Sequence, residues 1–331
     1  MYAANSHSRS QPQTPYRMVD ILRVMRERIA RVGYAAYERL LRRELSGAPS
    51  HVAVIQDGNR RYARKEGVET TQGHSEGAET TEALLHWCDD LGVEEVTLYA
   101  FSTENFDRPE EQREYIFDLV CEKLRSFADA DRVHDAEVCI RAIGETEMLP
   151  ERVREAIDYA ERRTDQYDRL NLNVALAYGG RAELLGAARD VAKAVESGEL
   201  APDDVDADTI EERLYEGPTR DVDLIVRTGG DERTSNFLPW HANGNEAATF
   251  FCTPYWPEFR KIDFLRAIRT YQNREASWRT TRARRAMTLV HAVEDADLSQ
   301  ARSVLGRFRD ALPSSERRRV DEEFEAAETA D

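Results

Sequence analysis

The chain is short of several things. Among its 331 residues there are four cysteines (Cys88, Cys121, Cys139 and Cys252), each in a largely apolar neighbourhood and none in a CxxC pair. That spacing argues against a disulfide framework and a thiolate zinc site, and the four read as core thiols of a reducing compartment. Lysine is scarce: Lys65, Lys123, Lys193 and Lys261 are the whole complement, and arginine supplies the rest of the 46 basic residues. Against 63 acidic residues this leaves a formal net charge of −17. A general nucleic-acid binder, which carries a basic face, is therefore not expected. An acidic, lysine-poor surface instead suits a high-salt cytoplasm, where screening weakens self-repulsion. No run of about 18 apolar residues is present, so no spanning helix is expected. The opening stretch MYAANSHSRSQPQTPY lacks the basic-then-apolar order of a secretory leader, and a cytoplasmic location is expected.

Several catalytic signatures are missing too. There is no GxxxxGK[ST] phosphate loop, no GxGxxG after the first strand and no GxSxG nucleophile elbow. A nucleotide-dependent kinase and a serine hydrolase therefore lack their usual parts.

Hydrophobic residues make up 41% of the chain and charged residues 33%, a balance that suits a soluble globular fold. Three regions are expected: an N-terminal extension over 1–49, a catalytic domain over 50–276, and a C-terminal helix with an acidic tail over 277–331. Residues 1–16 are polar and expected to be disordered. From 17 to 45 apolar residues recur at helical spacing among arginines, which predicts an amphipathic helix and allows peripheral contact with anionic lipid. Short β-branched runs then predict six strands: HVAVIQ (51–56), VEEVTLYAF (93–101), EVCIRAIG (137–144), LNLNVALAY (170–178), VDLIVRT (222–228) and EAATFFC (246–252). Helical patterns at 74–91, 110–131, 147–165, 181–197 and 207–214 separate most of them, and others follow near 258–276 and 286–311. The expectation is a single α/β domain with a central, mainly parallel six-stranded sheet covered on both faces.

In such a sheet ligands bind beyond the carboxyl ends of the strands. Asp57 stands there, followed by the turn Gly58-Asn59 and by Arg60, Arg61 and Arg64 at a helix start. Turn amides, first-turn helix amides and guanidinium forks together make a seat for a diphosphate. Asp57 does not itself attract phosphate, so a divalent cation, Mg²⁺, is its expected partner. His74, at the opening of the next helix, can reach the same mouth. Ser102, Thr103, Glu104, Asn105 and Arg108 follow the second strand. Arg227, Gly229-Gly230, Arg233 and Ser235 form a second anion seat after the fifth, and Glu246 offers a second carboxylate for metal. Two diphosphate seats on one sheet edge point to a reaction that joins two diphosphate substrates.

The blocks HVAVIQDGNRRYA, the Gly73-His74 pair, LYAFSTENFDRP, NVALAYGGR and DLIVRTGGDERTSNFLPW resemble the successive motifs of the cis-prenyltransferases, across roughly residues 50 to 276 and in family order. The resemblance implies a homodimer and an elongated apolar tunnel. It implies that an allylic diphosphate binds over Asp57 to Arg61, with Tyr62 in the same block, and that isopentenyl diphosphate is held by Arg227, Arg233 and Ser235. Asp57 and Glu246 would hold the metal, Asn105 and His74 would lie near the reacting centre, and Phe106 and Arg108 would shape the substrate loop. Arg60 and Tyr62 stand where many members carry Gly and Trp, and this favours the archaeal and eukaryotic branch. With the acidic surface, that points to a C20 starter, geranylgeranyl diphosphate, with C15 as the other option, and to undecaprenyl or a related polyprenyl diphosphate as product. A short-chain enzyme and a noncatalytic partner subunit are the alternatives. Thr70 replaces an arginine that in many members helps hold the allylic diphosphate, and the NRE segment near the C-terminus lacks a terminal RxG. The expected tunnel wall is Leu84, Leu85, Cys88, Phe117, Leu119, Val120, Leu124 and Ile140.

Overall fold

A computed structural model describes residues 34, 36–215, 220–242 and 247–292. The expected disordered start, most of the amphipathic helix, Glu246 and the acidic tail lie outside these residues. The chain divides into two units, Met1–Glu44 and Leu45–Asp331. In the first, residues 36–44 are helical.

The second unit holds six strands: β1 (His51–Ile55), β2 (Glu95–Ser102), β3 (Val138–Ile143), β4 (Leu170–Tyr178), β5 (Leu224–Arg227) and β6 (Ala248–Phe251). All six are parallel, in the order β3-β4-β2-β1-β5-β6. The helices are α1 (Asn59–Glu66), α2 (Thr70–Leu91), α3 (Glu110–Ala128), α4 (Asp131–Asp135), α5 (Glu151–Thr164), α6 (Gly180–Ser197), α7 (Ala207–Glu211) and α8 (Lys261–Ala292). Where two helices were expected near 258–276 and 286–311, the described part is one uninterrupted helix to Ala292. No glycine or proline interrupts that stretch to break it.

Alternation along a buried strand sends its side chains to two cores. On β1, Val52 and Val54 enter the larger core, where α2 supplies Leu84 and Cys88, α3 supplies Phe117, α5 supplies Val153 and α8 supplies Phe264. Ala53 and Ile55 enter the other, with Ala175, Ile225, Phe237 and Leu238. Both faces are covered, which explains why residues 52–55 of β1 read as an unbroken apolar run. Near the end of β2 the pairing with β4 shifts register twice: Ala100 has no partner on β4, and Ala177, with φ 50°, has none on β2. Irregularities of this kind cluster beside sites, where they re-aim the chain. Among the described residues no helix is long and apolar enough to cross a membrane.

The amino ends of the central strands carry a buried polar layer. His51 Nε2 and Nδ1 meet Thr97 Oγ1 at 2.8 Å and the Arg220 carbonyl at 2.9 Å, and Asn173 Nδ2 donates to Glu95 Oε1 at 2.6 Å. His241 is 3% exposed and its Nε2 is buried without a hydrogen-bond partner. Burial, then the charge of His51, lowers His241 from 6.5 to about 4, and burial lowers His51 as well. The unfolded chain takes up these protons below about 6.5 and the native chain resists them, so stability is lost as pH falls from 6.5 towards 4. For His241 the loss amounts to about 3 kcal/mol, and the melting temperature is expected to be flat above pH 7 with respect to these histidines. Thermal melts between pH 4 and 8 check this. In His241→Leu the acid slope should be visibly smaller, and an unchanged slope would remove His241 as its source.

Candidate active site

β1 lies between β2 and β5, so the carboxyl ends of these three strands bring together residues 170 positions apart. Asp57 follows β1 and leads into Gly58, whose φ of 105° suits glycine, and a Cβ there would stand 2.7 Å from the Tyr255 ring. Thr228, after β5, clamps the turn: its hydroxyl donates to the Asp57 carbonyl at 2.7 Å and accepts the Asp57 N–H at 3.1 Å.

The Asp57 carboxylate is shared. Oδ1 accepts from Arg61 Nη2 at 2.9 Å and Oδ2 from Arg227 Nη2 at 2.7 Å. Burial pushes this carboxyl up, but the hydrogen bonds and charges of Arg227 and Arg61 outweigh it and hold it below its usual range. Arg227 is 4% exposed. Besides Asp57 it reaches Asp231 Oδ2 at 3.1 Å, the Arg233 carbonyl at 2.7 Å and the Ser235 hydroxyl. Arg61 also donates to the Gly229 carbonyl at 2.8 Å. The two anion seats, separate in sequence, are thus tied through Asp57. Arg227 spends its two terminal nitrogens on the protein, which makes it a keystone, whereas Arg233 is 71% exposed at the rim and free to meet a ligand while touching Asp231 at 3.2 Å.

The loop after β5 is held in an uncommon backbone shape. Gly229, Gly230, Ser235, Asn236 and Leu238 all have φ between 49° and 85°. Such strain persists only where surroundings enforce it. Here the turn between β4 and α6 does so: Gly180 N–H donates to the Asn236 carbonyl and Arg181 N–H to Asn236 Oδ1, both at 3.0 Å. Phe237 then stacks on Tyr99 with ring centroids 4.4 Å apart. This gives the NVALAYGGR block a task that its pattern did not disclose.

On the other side of the mouth, Asn105 Oδ1 accepts the Ser102 N–H at 3.2 Å, closing the 3-10 turn after β2. His74 is lowered to about 4 by burial and by the charges of Arg108 and Arg60, so it is neutral at physiological pH. Burial and the nearby Arg60 lower Arg108 too, partly offset by Asp57. Desolvated cations that repel one another are relieved by an anion between them.

Below this mouth opens a cavity of about 460 Å³. Of the expected site residues, Asp57, Asn59, His74, Ser102, Glu104, Asn105, Arg108, Arg227, Arg233 and Ser235 line it. Gly58, Arg60, Arg61, Tyr62, Thr103 and Phe106 are not among its lining residues. The Tyr62 hydroxyl, for example, donates to Glu76 Oε2 at 2.5 Å, and Phe106 packs edge-on against Phe101 at 5.1 Å. The apolar wall is Leu85, Ile116, Leu119, Val120, Leu124, Phe127, Leu98, Ile140, Leu172 and Val174. It differs from the expected wall in that Leu84, Cys88 and Phe117 lie in the core without lining the cavity, because helical spacing alone does not say which flank of an apolar face meets the void. Thr228, Asp231, Tyr99 and Trp256 were missed. Trp256, whose Nε1–H donates to the Gly77 carbonyl at 2.7 Å, is buried and contributes to the cavity lining; a lone aromatic carries no signal in sequence. All four cysteines are free, Cys88 and Cys139 buried.

Among the described residues no group of three His, Cys, Asp or Glu side chains could hold a metal unaided. A magnesium ion is ordinarily bound by one or two carboxylates with substrate phosphate oxygens completing the shell. Asp57, at the junction of both arginine clusters, fits that donor set.

A cavity with a cationic mouth and a hydrocarbon interior defines a site for an amphiphile with an anionic head. The family model for undecaprenyl diphosphate synthases matches residues 55–279, and the chain belongs to that family of prenyltransferases. It is similar to the tritrans,polycis-undecaprenyl-diphosphate synthase (geranylgeranyl-diphosphate specific) of Haloarcula marismortui, 77% identical over 304 residues, covering 92% of this chain and all of that one. The protein of the same description from Halobacterium salinarum is 66% identical over 289 residues, covering 87% and 95%. Among solved structures, lavandulyl diphosphate synthase from Lavandula x intermedia in complex with dimethylallyl diphosphate superposes with a TM-score of 0.65 at 33% identity, covering 68% of this chain and 95% of that one. The haloarchaeal relatives accord with the acidic, lysine-poor composition.

Proposed function

We propose that the protein condenses isopentenyl diphosphate units onto geranylgeranyl diphosphate with cis geometry, giving undecaprenyl or a related polyprenyl diphosphate for a glycosyl-carrier lipid. The observation that carries this is the cavity whose mouth holds Asp57, Arg108, Arg227 and Arg233 and whose depth is aliphatic. The starter named for the relatives supports the C20 choice over C15.

In each cycle the allylic C1–O bond breaks, the alkene of isopentenyl diphosphate bonds to C1, diphosphate leaves, and a proton is lost as the new double bond forms. Arg60, Arg108 and the amides after Gly58 face the charge that grows on the leaving group, which is where fixed donors act most strongly. Mg²⁺, held by Asp57 with Glu246 as second candidate, would neutralise that charge when bound. Arg233 and Ser235 hold the isopentenyl head, and Arg227 keeps both in place. His74, being neutral, offers hydrogen bonding without adding charge. Holding two heads a fixed distance apart makes much of the gain positional. Each methylene drawn inward adds about 0.8 kcal/mol of favourable transfer. The reading includes a homodimer in the cytoplasm, peripheral to the membrane that takes up the product, with residues 17–45 as the contact.

The test supplies the protein, in high salt with Mg²⁺, with radiolabelled isopentenyl diphosphate and C10, C15 or C20 allylic diphosphate. Preferred use of C20 with a long product is expected. No incorporation by folded protein with any starter would refute the reading and favour a noncatalytic subunit. Arg233→Ala should raise the KM for isopentenyl diphosphate about tenfold or more with a smaller change in kcat, since one charge-assisted contact is removed. An unchanged KM would take Arg233 out of that seat.

A further inference from the structure

Two charged residues line the cavity among its aliphatic wall: Glu82 on α2 and Lys123 on α3. Their heads meet, with Lys123 Nζ 3.2 Å from Glu82 Oε1. Arg132, on α4, takes the other oxygen at 2.7 Å. Its guanidinium also lies 5.3 Å from the ring centre of Phe127, itself a wall residue. Glu82 stands eight residues beyond His74, about 12 Å farther along the helix from the mouth. Glu82 and Lys123 side chains are 30% and 32% exposed. Burial opposes ionisation of Glu82, but Arg132 and Lys123 outweigh it and hold its carboxyl below the usual range. A bridge of charge thus joins two helices in a wall that hydrocarbon alone would complete.

The space behind the mouth, about 460 Å³, lies in the range of roughly 300–1,000 Å³ that suits a drug-sized ligand. It takes the starter's isoprene units but not eleven of them. With long-chain condensation as the reaction, the growing tail must leave the cavity before synthesis ends. The bridge spans α2 and α3, the two helices that wall the cavity opposite the sheet.

We propose that the Glu82–Lys123–Arg132 bridge is a lateral gate, parted by the growing chain, whose strength helps set product length; the gate rests on long-chain condensation being the reaction. Parting it leaves half-desolvated charges against hydrocarbon, a cost that an aliphatic wall lacks. A weaker bridge therefore lets more condensations proceed before release. Glu82 and Lys123 are accordingly specificity-determining residues.

The test compares products of the wild type, Glu82→Gln, Lys123→Gln and the double variant, made from the C20 starter and separated by chain length, with thermal melts to monitor folding. Each single variant is expected to shift the main product longer by about one isoprene unit or more. The double variant should go no farther than Glu82→Gln, as coupled partners require. A wild type that makes no polyprenyl diphosphate would refute condensation itself. A wild type that makes it, with folded variants giving the same distribution, overturns the gate alone, and so does additive lengthening in the double variant. Should Glu82→Gln fail to fold, Lys123→Gln carries the test alone, and an unchanged distribution from that folded variant overturns the gate.

Discussion

Replacing Asp57 with alanine is expected to lower turnover by about a thousandfold or more, the largest effect of any single change at the mouth. Its carboxylate holds the guanidinium of Arg61, from the first anion seat, together with that of Arg227, from the second. Without it the two seats lose their common anchor, and the site loses the carboxylate expected to hold magnesium. Arg227, almost fully buried, keeps Asp231 as a partner. The stability loss should therefore fall near the lower end of the range for broken buried pairs, about 3 kcal/mol. Asp57→Asn separates the two effects. It retains an acceptor for a guanidinium, so the melting temperature should recover in part while turnover stays low and the magnesium requirement rises. Single-turnover rates and thermal melts of both variants provide the check. A folded Asp57→Ala enzyme with near wild-type turnover would exclude the carboxylate from the chemistry.

Arg227→Lys is the second large effect, and the more discriminating one because charge is conserved. The guanidinium reaches Asp57, Asp231, the Arg233 carbonyl and Ser235 at once. An ammonium on a flexible stem does not reproduce that planar fork. The loop with left-handed Ser235 and Asn236 would lose a main restraint, and both heads would be misaligned. The expectation is a fall in kcat/KM for isopentenyl diphosphate of about a hundredfold or more, since small misplacements of that kind cost as much. Faster amide exchange over residues 229–238 should accompany it. This pattern differs from Arg233→Ala, where the exposed rim contact is lost and the loop stays ordered. If Arg227→Lys matched the wild type in both measurements, the keystone role would be wrong.

The sheet was legible because buried parallel strands read as β-branched runs with turn formers at their ends, as HVAVI and LNLNVALAY do. Asp57, Asn105, Arg227, Arg233 and Ser235 were legible because clusters of polar and charged side chains at or past the ends of such runs have little reason to be there in a core. Thr228 and Trp256 were not, since a clamp made by one hydroxyl or one indole leaves no pattern. The wall was legible only in part. Leu84 and Leu85 are neighbours on α2 and both belong to the core, yet of the two Leu85 alone also meets the cavity.

Composition and local pattern alone determined the acidic balance, the lack of a CxxC pair, the six strands and the grouping of candidate anion-binding residues at their ends. These follow from short-range chemistry: burial periodicity, turn geometry and side-chain charge. What the tertiary structure decided is how those groups meet. Strand order sets β1 between β2 and β5, and only that places Asp57 against Arg227 and makes two seats into one mouth. The same holds for Glu82 and Lys123, residues 41 positions apart whose ion pair links two helices. Distances between elements are set by how whole layers pack, and no local stretch of sequence contains them.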